Sequence, residues 1–335
     1  MTLFTTEGEA VRPVRAYPNN VTDHHSSIIE GIIVGALDGK VIAITGSGRG
    51  IGRAVAEFCA SEGAAVVVND YGVSIDGNEP TSDVADEVVA AIKAAGGKAV
   101  ANASSVTTMA GGESIIASAI DNFGRIDGVV AVAGILRERM FFNMLEEEFD
   151  PVIETHLKGT FTVFRAAAPH FKAQGSGSYV AFTSGAFAGS VAQANYAAAK
   201  GGIVSLARSV AAGMYKYGVR ANVIAPVAKS RMSGNVPFGI EMGEPEDIAP
   251  MVGYLLADQS AHVTGQIYTA NGGKIAVWNQ PVEVREMRTN GRWTIDEIAK
   301  RFDEVGQEEL GLIKVLAERE AAAKAAKESG TTPNQ

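Results

Sequence analysis

Short apolar runs alternate with amphipathic stretches along the middle of the chain. Runs rich in β-branched residues predict buried strands at residues 40–45, 64–69, 98–103, 128–133, 179–183, 220–225 and 266–270. Helical periodicity between them predicts helices at residues 53–62, 83–95, 112–123, 149–173, 193–217 and 247–257. Strands that are apolar throughout and joined by helices are typical of a parallel sheet covered on both faces. The pattern therefore predicts an α/β fold with a doubly wound parallel sheet of about seven strands, whose carboxyl ends share one edge.

The two ends of the chain lack this alternation. Residues 1–38 predict an N-terminal arm, and residues 39–279 predict a single α/β domain. Residues 280–335 are more charged and predict a C-terminal helical extension, with a strong helix former at residues 317–327 and a frayed end.

Charge and composition exclude several kinds of partner. The 335 residues carry a formal net charge of -9 without a basic cluster, which argues against nucleic-acid binding. No apolar run approaches the ~18 residues that a membrane span requires, so no membrane partner is expected. The single cysteine, Cys59, cannot form an internal disulfide and fits a reducing compartment, so we expect a cytoplasmic protein. No metal site is predicted.

A glycine-rich turn at residues 45–52 follows the first predicted strand and opens the first predicted helix. Glycine lets backbone N–H groups at a helix N-terminus approach a pyrophosphate, although a tight turn without a ligand would look similar. Asp70 closes the second strand, where a carboxylate accepts from ribose hydroxyls and repels a 2′-phosphate; this favours NAD over NADP. Arg49 is the opposing signal, because its guanidinium could attract that phosphate. The cofactor-binding residues predicted from this turn are Gly46, Ser47, Arg49, Gly50, Ile51, Gly52 and Asp70.

Tyr196 and Lys200 lie four residues apart, on one face of a predicted helix after the fifth strand. A phenol is a poor acid or base at neutral pH, and a nearby ammonium would favour its phenolate form. Ser184 directly follows the fifth strand at the same edge of the sheet, where a hydroxyl can hold a substrate oxygen. A turn cap is the alternative role for Ser184, and Thr183 is a rival for the catalytic role.

From about residue 39 to residue 273 the chain resembles the short-chain dehydrogenase/reductase family. The glycine turn, Asp70, Ser184, Tyr196 and Lys200 match that family's pattern. Residues 66–70, 97–102, 136–139, 155–159, 193–196 and 224–232 resemble its (3R)-hydroxyacyl-CoA dehydrogenase branch, found in the peroxisomal multifunctional enzyme. The resemblance implies a Rossmann-type, NAD-binding catalytic domain in which Tyr196 and Lys200 also contact the cofactor. It further implies a homodimer or homotetramer built on the two longest helices.

Some positions depart from the family's pattern. The family's Asn-Asn-Ala-Gly after the fourth strand is Ala-Val-Ala-Gly here, which leaves the backbone of Ala133 and Gly134 to line the adenosine and ribose. His156 replaces the asparagine that helps to hold a relay water, so it either relays a proton or is a buried structural residue. Pro226 precedes valine instead of glycine, and Ser230 stands near the family's hydroxyl that meets the nicotinamide amide.

Together these residues predict an NAD-dependent dehydrogenase that oxidises a secondary alcohol on a small molecule. Residues 232–245 form a short segment that cannot enclose a small substrate, so a bulky or CoA-linked alcohol is expected. A steroid or other bulky cyclic alcohol is the alternative; a nucleotide-binding protein without activity and an epimerase are the other classes considered. The apolar residues that could either line the cleft or belong to the core are Met140, Phe141, Phe142, Phe187, Phe238 and Met242.

Overall fold

The computed structural model describes residues 35–73, 83–229 and 241–328. The strands in this part are β1 (Val41–Thr45), β2 (Ala65–Asn69), β3 (Lys98–Asn102), β4 (Gly128–Ala131), β5 (Gly177–Phe182), β6 (Val219–Pro226), β7 (Ile267–Asn271) and β8 (Lys274–Val277). They form one sheet in the order β3-β2-β1-β4-β5-β6-β7-β8. All neighbours are parallel except β7 and β8, which are antiparallel. The predicted α/β fold with a doubly wound sheet is confirmed, with an eighth strand added at the edge.

The helices in the described part cover both faces of the sheet or follow it in the chain. They are α1 (Gly50–Ser61), α2 (Asp83–Ala94), α3 (Met109–Phe123), α4 (Glu146–Ile153), α5 (Gly159–Gln174), α6 (Ala194–Met214), α7 (Ala249–Leu256), α8 (Ile295–Arg301) and α9 (Gly311–Glu328). The side chains of β1 show how the two layers arise. Ile42 and Ile44 point into one buried cluster, whereas Val41 and Ala43 point into the other.

The predicted helix at residues 149–173 begins three residues earlier and contains a π-helical turn. Glu154–Lys158 forms this turn between α4 and α5, and the backbone is right-handed helical at both junctions. A π turn places one more residue in the turn than an α-helix does, and such turns are frequent at functional sites. His156 lies in the middle of the turn and is buried.

The chain divides into two compact units, and the described residues from Asn279 onward belong to the second. In this unit the Thr294 hydroxyl accepts from the Glu297 N–H and the Glu297 carboxylate accepts from the Thr294 N–H, which caps α8. The predicted helix at residues 317–327 lies within α9. Within the described residues, no helix combines the length and the apolar character that a membrane crossing requires.

Candidate active site

The glycine turn after β1 is shaped by close backbone contacts. Gly46 has a φ of +65°, and a Cβ on it would lie 2.6 Å from the Ala133 Cα. A Cβ on Gly52 would lie 2.1 Å from the Gly46 carbonyl oxygen. Only glycine fits these two positions, because neither backbone neighbour can move away from an added side chain.

The same turn leaves a cradle that suits an anionic cofactor. The first turn of α1 has no side-chain cap. Because α1 begins shortly after the carboxyl end of β1, its first N–H groups lie at that edge of the sheet. Gly50 is exposed, has a φ of +51° and has open space where a Cβ would be. Arg49 is exposed beside it and Ile51 is half-buried. These residues therefore fit the diphosphate of a dinucleotide.

Asp70 lies at the end of β2 and organises the turn. One carboxylate oxygen accepts from the Gly48 N–H at 2.8 Å and the other accepts from the Gly72 N–H at 2.7 Å. Ser47, in contrast, is buried, and its hydroxyl donates to the Ile44 carbonyl at 2.7 Å. The Ser47 side chain thus supports the turn from below, whereas Asp70 lies half-buried at its edge.

Thr45, at the carboxyl end of β1, braces the backbone that follows the neighbouring strand β4. Its hydroxyl oxygen lies 3.2 Å from the Val132 nitrogen and 3.3 Å from the Ala133 nitrogen, and it accepts from both N–H groups. This threonine braces the backbone where asparagine side chains are lacking after β4. Pro226 ends β6 at the same edge, and Ser230 lies outside the described residues.

Tyr196, Lys200 and Ser184 are brought together where β5 ends and α6 begins. The Lys200 ammonium donates to the Phe182 carbonyl at 2.7 Å and lies 5.3 Å from the centre of the Tyr196 ring. The Ser184 side chain lies near Tyr196, and its hydroxyl accepts weakly from the Ala186 N–H at 3.3 Å. The Thr183 hydroxyl donates to the Lys200 carbonyl at 2.9 Å and is buried, so Thr183 faces away from a substrate oxygen.

Burial dominates the electrostatics of this group. It raises the pKa of Tyr196 to about 12, although the nearby Ser184 hydroxyl acts in the opposite direction. It lowers the pKa of Lys200 to about 7. The ammonium that the sequence suggested as a means of lowering the phenol pKa is itself destabilised by burial, so the free chain keeps its phenol protonated at neutral pH.

His156 is 2 % exposed and lies against both the sheet edge and Tyr196. Its Nε2 is 2.8 Å from the Ile135 carbonyl oxygen and 3.1 Å from the Ile135 nitrogen. Its ring meets the Tyr196 ring edge-on, with 5.1 Å between the centres. Burial, and then the Lys200 charge, hold the pKa of His156 well below its ordinary value, so the ring is neutral. Its Nδ1 is buried and has no hydrogen-bond partner among the described residues.

The lack of a side chain at Gly134 leaves room for the His156 ring. A Cβ on Gly134 would lie 2.1 Å from Cε1 of the imidazole. Any larger residue would have to displace the ring, which is fixed by Ile135 and by the π turn. The predicted residues His156, Ser184, Tyr196 and Lys200 therefore meet beside Gly134 at the carboxyl edge of β4 and β5.

The apolar residues proposed as cleft walls fall into different environments. Phe141 and Phe142 are 79 % and 76 % exposed, and Met140 is exposed as well. Phe187 packs against Trp278, with 4.6 Å between the ring centres, and joins the buried cluster on that face. Met242 is half-buried, while Phe238 and most of the segment at residues 232–245 lie outside the described residues.

Three residues that shape the site were missed by sequence reasoning. Gly48 donates to Asp70, Thr45 braces the end of β4, and Asn195 bonds the backbone beside Tyr196. Gly48 and Asn195 carried a signal, because both lie inside motifs that drew attention for other residues. Thr45 also lies in the glycine-rich turn, but a threonine at the end of a buried strand is ordinary, so nothing in the pattern indicated that its hydroxyl would brace the end of β4.

The buried Lys200 should make stability depend on pH. An unfolded lysine keeps its proton up to its ordinary pKa of 10.5, whereas the folded one loses it near pH 7. Between these values the unfolded state binds more protons, so the free energy of unfolding rises with pH. The free energy of unfolding of wild type, relative to that of Lys200→Met, should therefore rise by about 1 kcal/mol per pH unit from pH 7 to pH 9.

Urea unfolding at several pH values measures this difference. Lys216→Met is the matched control, because Lys216 is exposed and should show no such pH dependence relative to wild type. Parallel stability curves for wild type and Lys200→Met would contradict the prediction.

A glycine turn at a helix N-terminus, together with a tyrosine, a lysine and a serine at the same sheet edge, defines an oxidoreductase site for a dinucleotide cofactor. The chain belongs to the short chain dehydrogenase family, because the model of that family matches residues 40–236. It is therefore an oxidoreductase of the dehydrogenase class.

Several relatives share most of the chain. A short-chain type dehydrogenase/reductase of Mycobacterium tuberculosis is 45% identical over 70% of this chain and 83% of its own length. A hydroxyacyl-CoA dehydrogenase of the same organism, ChsB1, is 40% identical over 76% of this chain and 84% of its own length. A peroxisomal hydratase-dehydrogenase-epimerase of Neurospora crassa is 41% identical over 80% of this chain, which spans 30% of that longer protein. The resemblance to this branch of the family is confirmed.

Solved structures agree with this membership. A short chain dehydrogenase from Mycobacterium avium superposes with a TM-score of 0.73 at 41% identity, covering 81% of this chain and 95% of the other. A short chain dehydrogenase from Mycobacterium paratuberculosis, bound to NAD, superposes with a TM-score of 0.65 at 28% identity. That match covers 71% of this chain and 98% of the other.

Proposed function

We propose that this enzyme uses NAD to interconvert a secondary alcohol and a ketone on a CoA-linked substrate, in the manner of a 3-hydroxyacyl-CoA dehydrogenase. The observation that carries the proposal is the meeting of Tyr196, Lys200, Ser184 and His156 beside the glycine turn. The hydroxyacyl-CoA dehydrogenase among its relatives and the NAD-bound structural neighbour support the choice of substrate class and cofactor.

Residues at the carboxyl edge of the sheet would hold the cofactor. The uncapped first turn of α1 and the backbone of residues 46–52 hold its diphosphate, and Asp70 holds its adenosine ribose. The backbone of Ala133 and Gly134 and the end of β6 at Pro226 would line the cofactor cleft. Lys200 binds the second ribose. The nicotinamide ring, when bound, accepts the hydride from the alcohol carbon.

Tyr196 moves the proton in the reaction. In oxidation its phenolate oxygen removes the hydroxyl proton of the substrate, and in reduction the phenol returns it. Ser184 lies near Tyr196 and would orient the same substrate oxygen. His156 is proposed as the next group in a relay to solvent: its ring packs edge-on against that of Tyr196, and its Nδ1, without a partner among the described residues, would accept the proton through a bridging water.

A substrate comparison tests the proposed function. We expect NAD-dependent turnover of a 3-hydroxyacyl-CoA to exceed that of its free acid and of a short secondary alcohol, measured by absorbance of the reduced nicotinamide. Equal rates with and without the CoA group, together with turnover of a steroid alcohol, would replace this substrate class by a bulky cyclic alcohol. Turnover of none of these would contradict the dehydrogenase assignment.

The quaternary structure and location of the enzyme extend this proposal. Phe149 on α4 and Phe161 on α5 are 38 % and 44 % exposed, which supports a second copy packing on these helices. A homodimer or homotetramer is therefore proposed, and light scattering that finds only a monomer would contradict it. A cytoplasmic location remains a prediction from the sequence.

A further inference from the structure

Asn195 is fully buried one residue before Tyr196, and its side-chain amide bonds three separate segments. The amide nitrogen donates to the Arg137 carbonyl at 2.9 Å and to the Glu148 carbonyl at 2.7 Å. The amide oxygen accepts from the Tyr196 N–H at 2.7 Å. Backbone N–H groups in the first turn of a helix lack partners within the helix and need a cap. Here the side chain that caps the Tyr196 N–H also bonds two carbonyls from other elements.

Each of the three segments carries one wall of the proposed site. The loop containing Arg137 continues from Gly134 and Ile135, which fix the His156 ring. Glu148 lies in α4, which runs directly into the π turn that contains His156. Tyr196 lies in the first turn of α6, whose next turn carries Lys200. One buried amide therefore fixes the distances between the groups that handle the proton.

Further hydrogen bonds and an ion pair connect the loop that contains Arg137 to α4. Pro151 has no N–H for the Glu147 carbonyl, one turn earlier in α4, and the Arg137 guanidinium donates to that carbonyl at 2.5 Å. Arg139 pairs with the Glu148 carboxylate through both Nε and Nη2, at 2.9 Å and 2.6 Å.

The turn before Asn195 is held in an unusual shape. The Arg139 N–H donates to the Ala192 carbonyl at 2.8 Å, and Ala192 has a φ of +59°, a left-handed conformation that alanine rarely adopts. Such a conformation persists only where its surroundings determine it. The loop thus places Asn195 within hydrogen-bond distance of the Arg137 and Glu148 carbonyls, and the left-handed conformation of Ala192 strains its backbone.

We infer that Asn195 is a positioning residue, which holds Tyr196 in register with His156 and Ser184 for proton transfer. The inference rests on the proposed function. The hydrogen bonds of the Asn195 side chain all go to backbone groups and the side chain is fully buried, so it acts through Tyr196 and not on the substrate. Displacement of a reacting group by about 1 Å can cost about 100-fold in rate, which sets the scale of the effect.

Two variants and a matched control test this role. Asn195→Ala removes all three bonds. Asn195→Asp keeps the acceptor for the Tyr196 N–H but turns a carboxylate oxygen toward the Arg137 and Glu148 carbonyls. Asn222→Ala is the control: Asn222 is equally buried, and its amide also bonds backbone, at Val263 and Gln266, but none of these bonds involves the segments that carry Tyr196 and His156.

The expected result separates positioning from general stability. We expect kcat to fall by about 10- to 100-fold in both Asn195 variants, while KM for NAD changes less than about threefold. Asn222→Ala should lose thermal stability comparably and keep its kcat. Because the Asp variant still caps Tyr196, a similar loss in both Asn195 variants assigns the effect to the two cross-links. Unchanged kcat in the Asn195 variants, or an equal kcat loss in Asn222→Ala, would overturn the inference.

Hydrogen exchange gives a measurement that does not depend on the substrate. In Asn195→Ala, amide exchange should rise together in peptides covering residues 136–139, 146–152 and 194–199, and this joint rise should be absent in Asn222→Ala. No joint rise would overturn the role of Asn195 even if the enzyme is active. If wild type turns over no alcohol but the joint rise is seen, the proposed function fails while the structural link stands.

Discussion

Tyr196→Phe is expected to lower turnover by about 10³- to 10⁴-fold while leaving the affinity for NAD within a few-fold of wild type. The substitution removes the phenolic oxygen, which accepts or donates the reacting proton. It keeps the ring, which packs edge-on against His156. Steady-state kinetics with the CoA-linked substrate and a binding titration with NAD measure the two quantities separately.

Tyr179→Phe is a matched control for this substitution. Tyr179 is also a buried tyrosine, and its hydroxyl donates to the Phe164 carbonyl at 2.9 Å, within the buried cluster that α5 and α6 share. The control should lose about 1 kcal/mol of stability and keep its turnover. Wild-type turnover in Tyr196→Phe would show that another group handles the proton.

The pH profile provides a second check on the same tyrosine. Burial raises the pKa of Tyr196 to about 12, so the phenol stays protonated through the neutral range. Reduction uses this protonated form, whereas oxidation needs the phenolate, so the oxidation rate should rise with pH. A positive charge beside the phenol lowers its pKa, so the rise should begin at lower pH when NAD is saturating. Tyr196→Phe should lack this rise.

The sequence predicted the sheet well because each parallel strand is buried on both faces. β2, for example, is apolar except for its final Asn69, and all five of its residues are buried. The eighth strand was missed although Gly272 and Gly273 form a two-residue connection between β7 and β8, which is a recognised hairpin signal. β8 is short and lies at the edge, so its side chains are largely exposed and its apolar pattern carries little information.

The interior of the site was harder to predict than its location. Position in the chain and spacing were enough to select Tyr196, Lys200 and Ser184. The π turn at His156 was not predictable, because helical periodicity does not distinguish one added residue from ordinary variation. The direction of the Tyr196 pKa was also missed, since it depends on how deeply the ring is buried, and spacing along a helix does not reveal burial.

The choice of cofactor should depend on Asp70. We expect wild type to prefer NAD over NADP by about one to several powers of ten, because the carboxylate repels a 2′-phosphate and accepts from ribose hydroxyls. Asp70→Asn removes the charge and keeps an acceptor for the Gly48 N–H, so the preference should narrow mainly through better use of NADP. The ratio of kcat/KM for the two cofactors measures the change.

Asp70→Ala separates the two contributions of this side chain. Because the carboxylate also accepts from Gly48 at 2.8 Å and from Gly72 at 2.7 Å, its removal should loosen the glycine turn and weaken NAD binding as well. The preference for NAD over NADP should therefore narrow further in Asp70→Ala than in Asp70→Asn, because kcat/KM for NAD also falls in Asp70→Ala. Arg49→Ala is the complementary variant, since the exposed guanidinium is the group that could hold a 2′-phosphate, and its loss should lower only the use of NADP. If wild type uses NADP better than NAD, Arg49 and not Asp70 governs the choice of cofactor.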